Sequence, residues 1–112
     1  VGTPTGSTAY SLAAGGAIVA PDAGVFSITP VCPHTLSNRA VIVSQQSAVE
    51  VRLLDRQREA TLSADGLDVV TLGANSPLTI HRSRHKVKLA RLPGSSFFQT
   101  LRQKLQWTGS HA

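Results

Sequence analysis

The sequence predicts a mainly β, antiparallel fold with a short helix near the front and an amphipathic helix at the back. Apolar and polar residues alternate in several segments between residues 25 and 92, and glycine or proline turns separate these segments. After Pro93-Gly94 the apolar spacing becomes helical. The length of 112 residues, with 41% hydrophobic and 15% charged residues, is typical of one globular domain, residues 1–112.

The front helix is predicted from the opening stretch VGTPTGSTAYSLAAGG, residues 1–16. Ser7 or Thr8 can cap a helix, and residues 9–14 can continue it for about two turns. Gly15 and Gly16 then supply a left-handed stop.

The first strands lie on either side of a proline-rich segment. Residues 25–29 alternate as a short strand that Pro30 ends. The segment PVCPHTLSNR, residues 30–39, carries too much proline for regular structure. Residues 40–44 are apolar enough to predict a buried strand.

Further strands are predicted from alternation and turn residues. Residues 49–54 have the period of a half-buried antiparallel strand, and the polar turn 55–58 leads to a return strand that begins at Ala60 and Leu62. Asp65-Gly66 indicates a tight turn before the next strand. Another turn at residues 73–77 precedes two last strands, 78–82 and 86–92.

The net charge of +5 is concentrated in one segment, which predicts either the wet face of a β-hairpin or attraction of an anionic metabolite. No aromatic residue separates these basic residues, so nucleic-acid binding is not expected. The basic residues of the segment are His81, Arg82, Arg84, His85, Lys86, Lys88 and Arg91.

The back helix is predicted to start at a Ser95 or Ser96 cap. Its apolar residues share one helical face, and Trp107 lies just beyond it. Residues 108–112 are expected to fray. The face comprises Phe97, Phe98, Leu101 and Leu105.

Several classes of protein are disfavoured. Cys32 is the only cysteine, so the chain has no internal disulfide and no cysteine-based zinc site. His81 and His85 would lie about 13 Å apart on a strand, too far to share a metal. No apolar run is long enough to span a bilayer, and we expect a reduced, cytoplasmic protein without a membrane partner.

The opening stretch could also contact a ligand. A helix N-terminus presents unpaired amides, Gly2 and Gly6 permit close backbone approach, and Tyr10 offers a flat face with a hydroxyl. The pattern matches neither a P-loop nor a dinucleotide-binding glycine motif. From these residues alone, a capped structural turn and a ligand-contacting loop remain equally open. Thr3, Thr5, Ser7 and Thr8 add hydroxyls that a ligand could contact.

Two other residues are candidates for a ligand site. His34, between Pro33 and Thr35, could act as a donor or a titrating base, or it could hydrogen-bond the backbone of a rigid loop. Asp65 could face a ligand or serve only its turn. A catalytic pair of Cys32 and His34 is not expected, because no third group orients them.

Four stretches together resemble the C-terminal part of bacterial-type NAD kinases, in the same order and at similar spacing over nearly the whole chain. The stretches are TPTGSTAYSLAAGG, PVCPHTLSNRAVIV, LSADG and FFQTLRQKLQW. The resemblance implies an antiparallel, β-sandwich-like domain from enzymes that use ATP and a divalent metal such as Mg²⁺ to phosphorylate the 2′-hydroxyl of the NAD adenosine ribose. It implies that Thr8, Ala9 and Tyr10 contact NAD, with Thr5 and Ser7 close by, and that His34 and Asp65 lie near the pocket.

The chain departs from the family in lacking its Gly-Gly-Asp-Gly and Asn-Glu motifs. The resemblance assigns the proposed catalytic aspartate to the first motif and part of the NAD site to the second. We therefore expect the C-terminal piece of an NAD kinase, without the N-terminal α/β ATP-binding domain, inactive by itself, with no catalytic residue and no bound cofactor of its own. The resemblance also implies a homo-oligomer.

Two alternatives remain. One is a non-catalytic nucleotide-binding or oligomerisation module with the same fold. The other is a related lipid kinase, against which the threonine–alanine–tyrosine segment and PHTLS argue.

Overall fold

The computed structural model describes residues 1–36 and 38–107. Strands dominate it, with helices near both ends, which confirms the mainly β prediction. The expected fraying of residues 108–112 falls outside the described residues. In chain order the elements are a 3₁₀ helix Thr5–Thr8, α1 Tyr10–Ala13, β1 Val25–Ile28, β2 Val41–Ser44, β3 Val49–Val51, β4 Ala60–Ala64, β5 Leu67–Leu72, β6 Leu78–Ile80 and α2 Phe97–Lys104.

The chain divides into two compact units. The first comprises residues 1–43 together with the chain from residue 84 onward, and the second comprises Ser44–Ser83.

The opening helix of the first unit differs from the predicted two-turn α-helix. A 3₁₀ helix, Thr5–Thr8, is followed after Ala9 by the single turn α1. The amides of Ser7 and Ala9 each bond to a carbonyl three residues back, at 3.1 Å. The Ser7 hydroxyl also bonds to the Pro4 carbonyl, and such local bonding competes with regular α-helix. The predicted left-handed stop is confirmed at Gly15, which has a φ of +90°, but not at Gly16, whose φ is not positive.

Strands β1 and β2 form a two-stranded sheet in which β1 agrees with its prediction. Phe26 and Ser27 of β1 are buried. The prediction of a buried strand at residues 40–44 was wrong as to burial, since Val41 is 52% and Ile42 45% exposed. An apolar run favours a strand, but burial also requires elements that cover both faces of the sheet.

The back helix α2 confirms the helical period after Pro93-Gly94. Ser96 is its N-cap residue, although its side chain makes no capping bond. Leu101 is 6% exposed, whereas Phe98 is 69% exposed, so the predicted apolar face was wrong at Phe98. Adjacent helix positions differ by about 100°, so Phe97 and Phe98 cannot both point to the centre of one face.

The predicted strand at residues 86–92 is not observed, and this described segment has no regular structure. Val87 and Leu89 are 86% and 63% exposed. Alternation assigns residues to faces, but a strand also needs a neighbour that accepts its hydrogen bonds. The basic segment is therefore not the wet face of a hairpin.

The second unit contains two antiparallel strand pairs. In the first, β3 pairs with β6, and Val49 lies opposite Ile80. In the second, β4 pairs with β5, and Ala60 lies opposite Leu72. The predicted return of β4 onto β3 was wrong, because each strand pairs with a later one. The predicted tight turn is confirmed, since Asp65 and Gly66 have φ values of +50° and +82°.

Burial differs between the units. The buried hydrophobic core residues Val19, Phe26 and Leu101 all belong to the first unit, as does the buried Pro4. No side chain of residues 44–83, all of which are described, is fully buried. Among residues 1–36 and 38–107, no helix is long and apolar enough to cross a membrane.

Candidate functional site

Ser7 attaches the opening stretch to the interior of the first unit. Its side chain is 0% exposed. The hydroxyl donates to the Pro4 carbonyl at 2.7 Å and accepts from the Val19 amide at 2.9 Å. Because Val19 lies twelve residues further along the chain, this one hydroxyl joins the 3₁₀ helix to a separate segment.

A second attachment joins α1 to the chain just after β1. The hydroxyls of Ser11 and Thr29 lie 3.0 Å apart, and the Gly16 amide donates to the Ser11 carbonyl at 2.8 Å. A Cβ at Gly16 would lie 2.7 Å from both the Ser11 carbonyl oxygen and Thr29 Oγ1. Glycine at this position is therefore required by close packing.

A third attachment is a backbone bridge between Gly2 and Ser27 of β1. The Gly2 amide donates to the Ser27 carbonyl at 2.8 Å, and the Ser27 amide returns a bond to Gly2 at 3.0 Å. Together, the three attachments hold both ends and the middle of the opening stretch.

The outer side of the same stretch is open to solvent. Thr5 and Ala9 are exposed and Thr8 is half-buried. Tyr10 is 72% exposed, so both its ring and its hydroxyl are accessible. A fixed backbone that presents an exposed aromatic ring and hydroxyls favours ligand contact over a purely structural turn. Ser7 differs from the other predicted contact residues, because it faces the interior and holds the stretch in place.

A cavity of about 150 Å³ lies beside the 3₁₀ helix, within the first unit. Its apolar lining residues are Pro4, Pro21, Phe97 and Leu101, and its polar ones are Thr5, Thr8, Thr100, Arg91 and Lys104. The cavity thus brings Thr5 and Thr8 together with residues far along the chain.

The contribution of α2 to this cavity was missed in the sequence. Alternation in the basic segment predicts a hairpin strand for Arg91, and the apolar face predicted for the back helix does not include Lys104. The signal that could have found the α2 residues is their spacing of i, i+3, i+4 and i+7, which is one helical face. The four residues are Phe97, Thr100, Leu101 and Lys104.

His34 lies in an exposed part of the segment between β1 and β2. It is not among the described residues that line the cavity, so the structure does not bring it together with Thr5 and Thr8 there. The same segment bends at Cys32, which is exposed and has a φ of +47°. Asn38 Nδ2 is buried and lacks a hydrogen-bond partner among the described residues.

Asp65 lies in the second unit, exposed at the first central position of the β4–β5 turn. The neighbouring Ser63 hydroxyl donates to Asp68 at 2.6 Å rather than to Asp65. The structure thus gives Asp65 the role of a turn residue, for which Asp before Gly is well suited.

The polar groups around the cavity are three hydroxyls, one guanidinium and one ammonium. These groups can donate hydrogen bonds and attract negative charge, but they include no carboxylate that could act as a general base. Among residues 1–36 and 38–107, no three His, Cys, Asp or Glu side chains are grouped so as to hold a metal ion. The arrangement is therefore suited to binding and orienting a ligand.

The fold and the site define a β-rich domain whose opening stretch is held from inside by Ser7 and exposes Tyr10 on its outer side. Residues 1–92 match the family model described as the ATP-NAD kinase C-terminal domain. The chain belongs to this family.

Relatives and a solved structure agree with this assignment. The chain is 44% identical to an NAD kinase of Symbiobacterium thermophilum, over 96% of this chain and 38% of that relative. It is also 44% identical to an NAD kinase of Lachnoclostridium phytofermentans, over 93% of this chain and 38% of that relative. The structure of yeast NADH kinase complexed with NADH superposes with a TM-score of 0.74, at 26% identity, over 97% of this chain and 35% of the yeast chain. The chain therefore spans less than two fifths of the length of these proteins.

Proposed function

We propose that this chain is the C-terminal part of an NAD kinase and that its opening stretch contacts the NAD substrate. The complete enzyme would transfer a phosphate from ATP to the 2′-hydroxyl of the adenosine ribose and so make NADP. The observation that carries the proposal is the exposed Tyr10 on a stretch held from inside by Ser7. The relationship to a kinase solved with NADH supports a nicotinamide dinucleotide as the ligand.

Each residue of the stretch has a separate role in the proposal. The ring of Tyr10 provides a flat face for stacking, and Ala9 leaves room beside it. Thr5 and Thr8 provide hydroxyls that can bond to polar groups of the nucleotide. Ser7 positions the stretch instead of touching the ligand directly, because it is fully buried.

The chemical step would depend on residues outside this chain. Phosphoryl transfer requires a phosphate-binding site, a divalent metal and a group that orients the attacking hydroxyl. Mg²⁺ prefers carboxylate and water oxygens, and the cavity lining offers none of the former. We therefore assign ATP, the metal and the catalytic aspartate to the N-terminal domain of the complete enzyme.

We further propose that residues 1–112 act as one C-terminal domain of a cytoplasmic homo-oligomer. Supporting this, β5 of the second unit exposes apolar side chains: Leu67 is 73% and Val69 61% exposed on one face of the strand, and Val70 is 47% exposed on the other. Exposed apolar side chains of this kind favour contacts with another protein surface. His34 and Asp65 remain proposed neighbours of the pocket in the complete enzyme.

The alternative function, a non-catalytic module, makes a different genetic prediction. A reading frame that continues upstream of Val1 and encodes Gly-Gly-Asp-Gly and Asn-Glu would identify an active enzyme. A frame that lacks both motifs would favour the module.

The proposal is tested in a chimera in which this chain replaces the matched segment of the Symbiobacterium thermophilum NAD kinase. Replacing Tyr10 by alanine should raise the KM for NAD about tenfold, because loss of aromatic stacking on a base costs about 1–3 kcal/mol. The KM for ATP should change little. Steady-state kinetics with each substrate varied in turn measures both constants.

The matched control is Val87→Ala, which truncates a side chain that is 86% exposed outside the proposed site. It should leave both KM values unchanged. A Tyr10→Ala chimera with the same KM for NAD as the Val87→Ala chimera would contradict the proposed contact.

A further inference from the structure

The cavity beside the 3₁₀ helix is lined by two positive charges that no acidic residue in the described part of the chain pairs with. Arg91 and Lys104 both line it. Within residues 1–36 and 38–107, neither side chain takes part in an ion pair, and no carboxylate is among the lining residues. Two cations beside one small cavity repel each other, and an anion placed between them would relieve this repulsion.

The polar side chains that line the cavity can all donate hydrogen bonds. Thr5, Thr8 and Thr100 contribute hydroxyls that can donate to an anion. The guanidinium of Arg91 offers paired donors that match two oxygens of a phosphate, and Lys104 adds a point charge.

Part of the cavity lining is apolar and partly or fully buried. Leu101 is 6% exposed, Pro4 is buried and Phe97 is half-buried. Arg91 and Lys104 are themselves exposed, so an anion can reach both charges from solvent. The volume of about 150 Å³ suits a small ion or one group of a larger ligand.

We propose that this cavity binds a phosphate-type oxyanion between Arg91 and Lys104. The oxyanion is either a phosphate group of the bound dinucleotide or a separate phosphate. In the first case the proposal rests on the proposed function, and in the second it does not. We call the cavity the oxyanion cavity.

The test measures how fast individual lysines of the chimera react with an acylating reagent. Inorganic phosphate is added at constant ionic strength, and mass spectrometry quantifies each modified lysine. Phosphate at ten times its Kd should slow the acylation of Lys104 about tenfold, because Lys104 reacts only in the fraction of the protein from which phosphate has dissociated. Lys86 and Lys88 are exposed outside the oxyanion cavity and should react at unchanged rates.

Two variants show whether the protection of Lys104 by phosphate comes from binding in the oxyanion cavity or from the overall positive charge. Arg91→Gln should abolish the protection of Lys104 by phosphate. Arg102→Gln removes the same charge from α2 at a residue outside the cavity lining, so it should preserve the protection.

The choice of anion distinguishes the sources. Protection of Lys104 by both NAD and phosphate would identify the dinucleotide as the source, and protection by phosphate alone would identify a separate anion. Either result supports the oxyanion cavity. Equal protection of Lys104 by acetate, or no protection by phosphate, would overturn the proposed oxyanion cavity. The proposed function would still be tested independently by the effect of Tyr10→Ala on the KM for NAD.

Discussion

The isolated 112-residue chain should transfer no phosphate to NAD, from either ATP or polyphosphate, whereas the chimera should form NADP. The difference should be all or none. The sequence contains neither Gly-Gly-Asp-Gly nor Asn-Glu, and the polar groups of the oxyanion cavity include no base. Positioning and charge stabilisation supply most of the catalysis in phosphoryl transfer, and the proposed function gives this chain only one wall of the site. An assay in which an NADP-dependent dehydrogenase reports the NADP formed measures the kinase activity of both proteins.

The parent Symbiobacterium thermophilum enzyme provides the reference rate, and the chimera shows whether the replaced segment is compatible with catalysis. A turnover by the isolated chain that withstands repeated purification would contradict the assignment of the catalytic aspartate to another segment.

Gly16→Ala should destabilise the chimera by about 2 kcal/mol, because the new methyl group cannot fit without movement of the backbone. Its Cβ would lie 2.7 Å from the Ser11 carbonyl oxygen and from Thr29 Oγ1. Relief of this overlap requires that α1 move away from Thr29, which breaks the hydroxyl contact of Ser11. The shift in the urea midpoint of unfolding at constant m-value measures the change. The KM for NAD should rise as well, since Tyr10 lies on α1.

Gly24→Ala is the matched control, because no heavy atom beyond Gly24 and its two chain neighbours lies within 4 Å of the added Cβ. The substitution should leave both the urea midpoint and the KM within error of the unsubstituted chimera. An unchanged urea midpoint for Gly16→Ala would contradict the close packing of the opening stretch against Thr29.

The elements that the sequence predicted correctly depend on local chemistry. Asp65-Gly66 forms its turn because both residues tolerate positive φ. Helix α2 follows from the change of period after Pro93-Gly94, and β1 from alternation ended by Pro30.

The elements that were predicted wrongly depend on contacts distant in sequence. The turn after β3 suggested a β3–β4 hairpin, but pairing of β3 with β6 connects residues about thirty positions apart. The opening helix was shortened by the bonds of the buried Ser7 hydroxyl, one of which reaches Val19. Neither partner can be identified from the spacing of residues along the chain.

The candidate site was predicted only in part for the same reason. Thr5, Thr8, Ala9 and Tyr10 could be proposed because they follow each other in one motif. The oxyanion cavity could not, since it joins Thr5 to Lys104 across nearly the whole sequence. Ser7 belongs to the same motif as its neighbours, but it is buried, and this difference could not be predicted from the motif.

The central claim is that the opening stretch touches the NAD substrate. A crystal structure of the chimera with NAD tests it most directly. We expect the dinucleotide to lie within about 4 Å of Thr8, Ala9 and Tyr10, with the Ser7 hydroxyl still bonded to Val19. NAD bound in the chimera with Thr8, Ala9 and Tyr10 all left in solvent would contradict the claim.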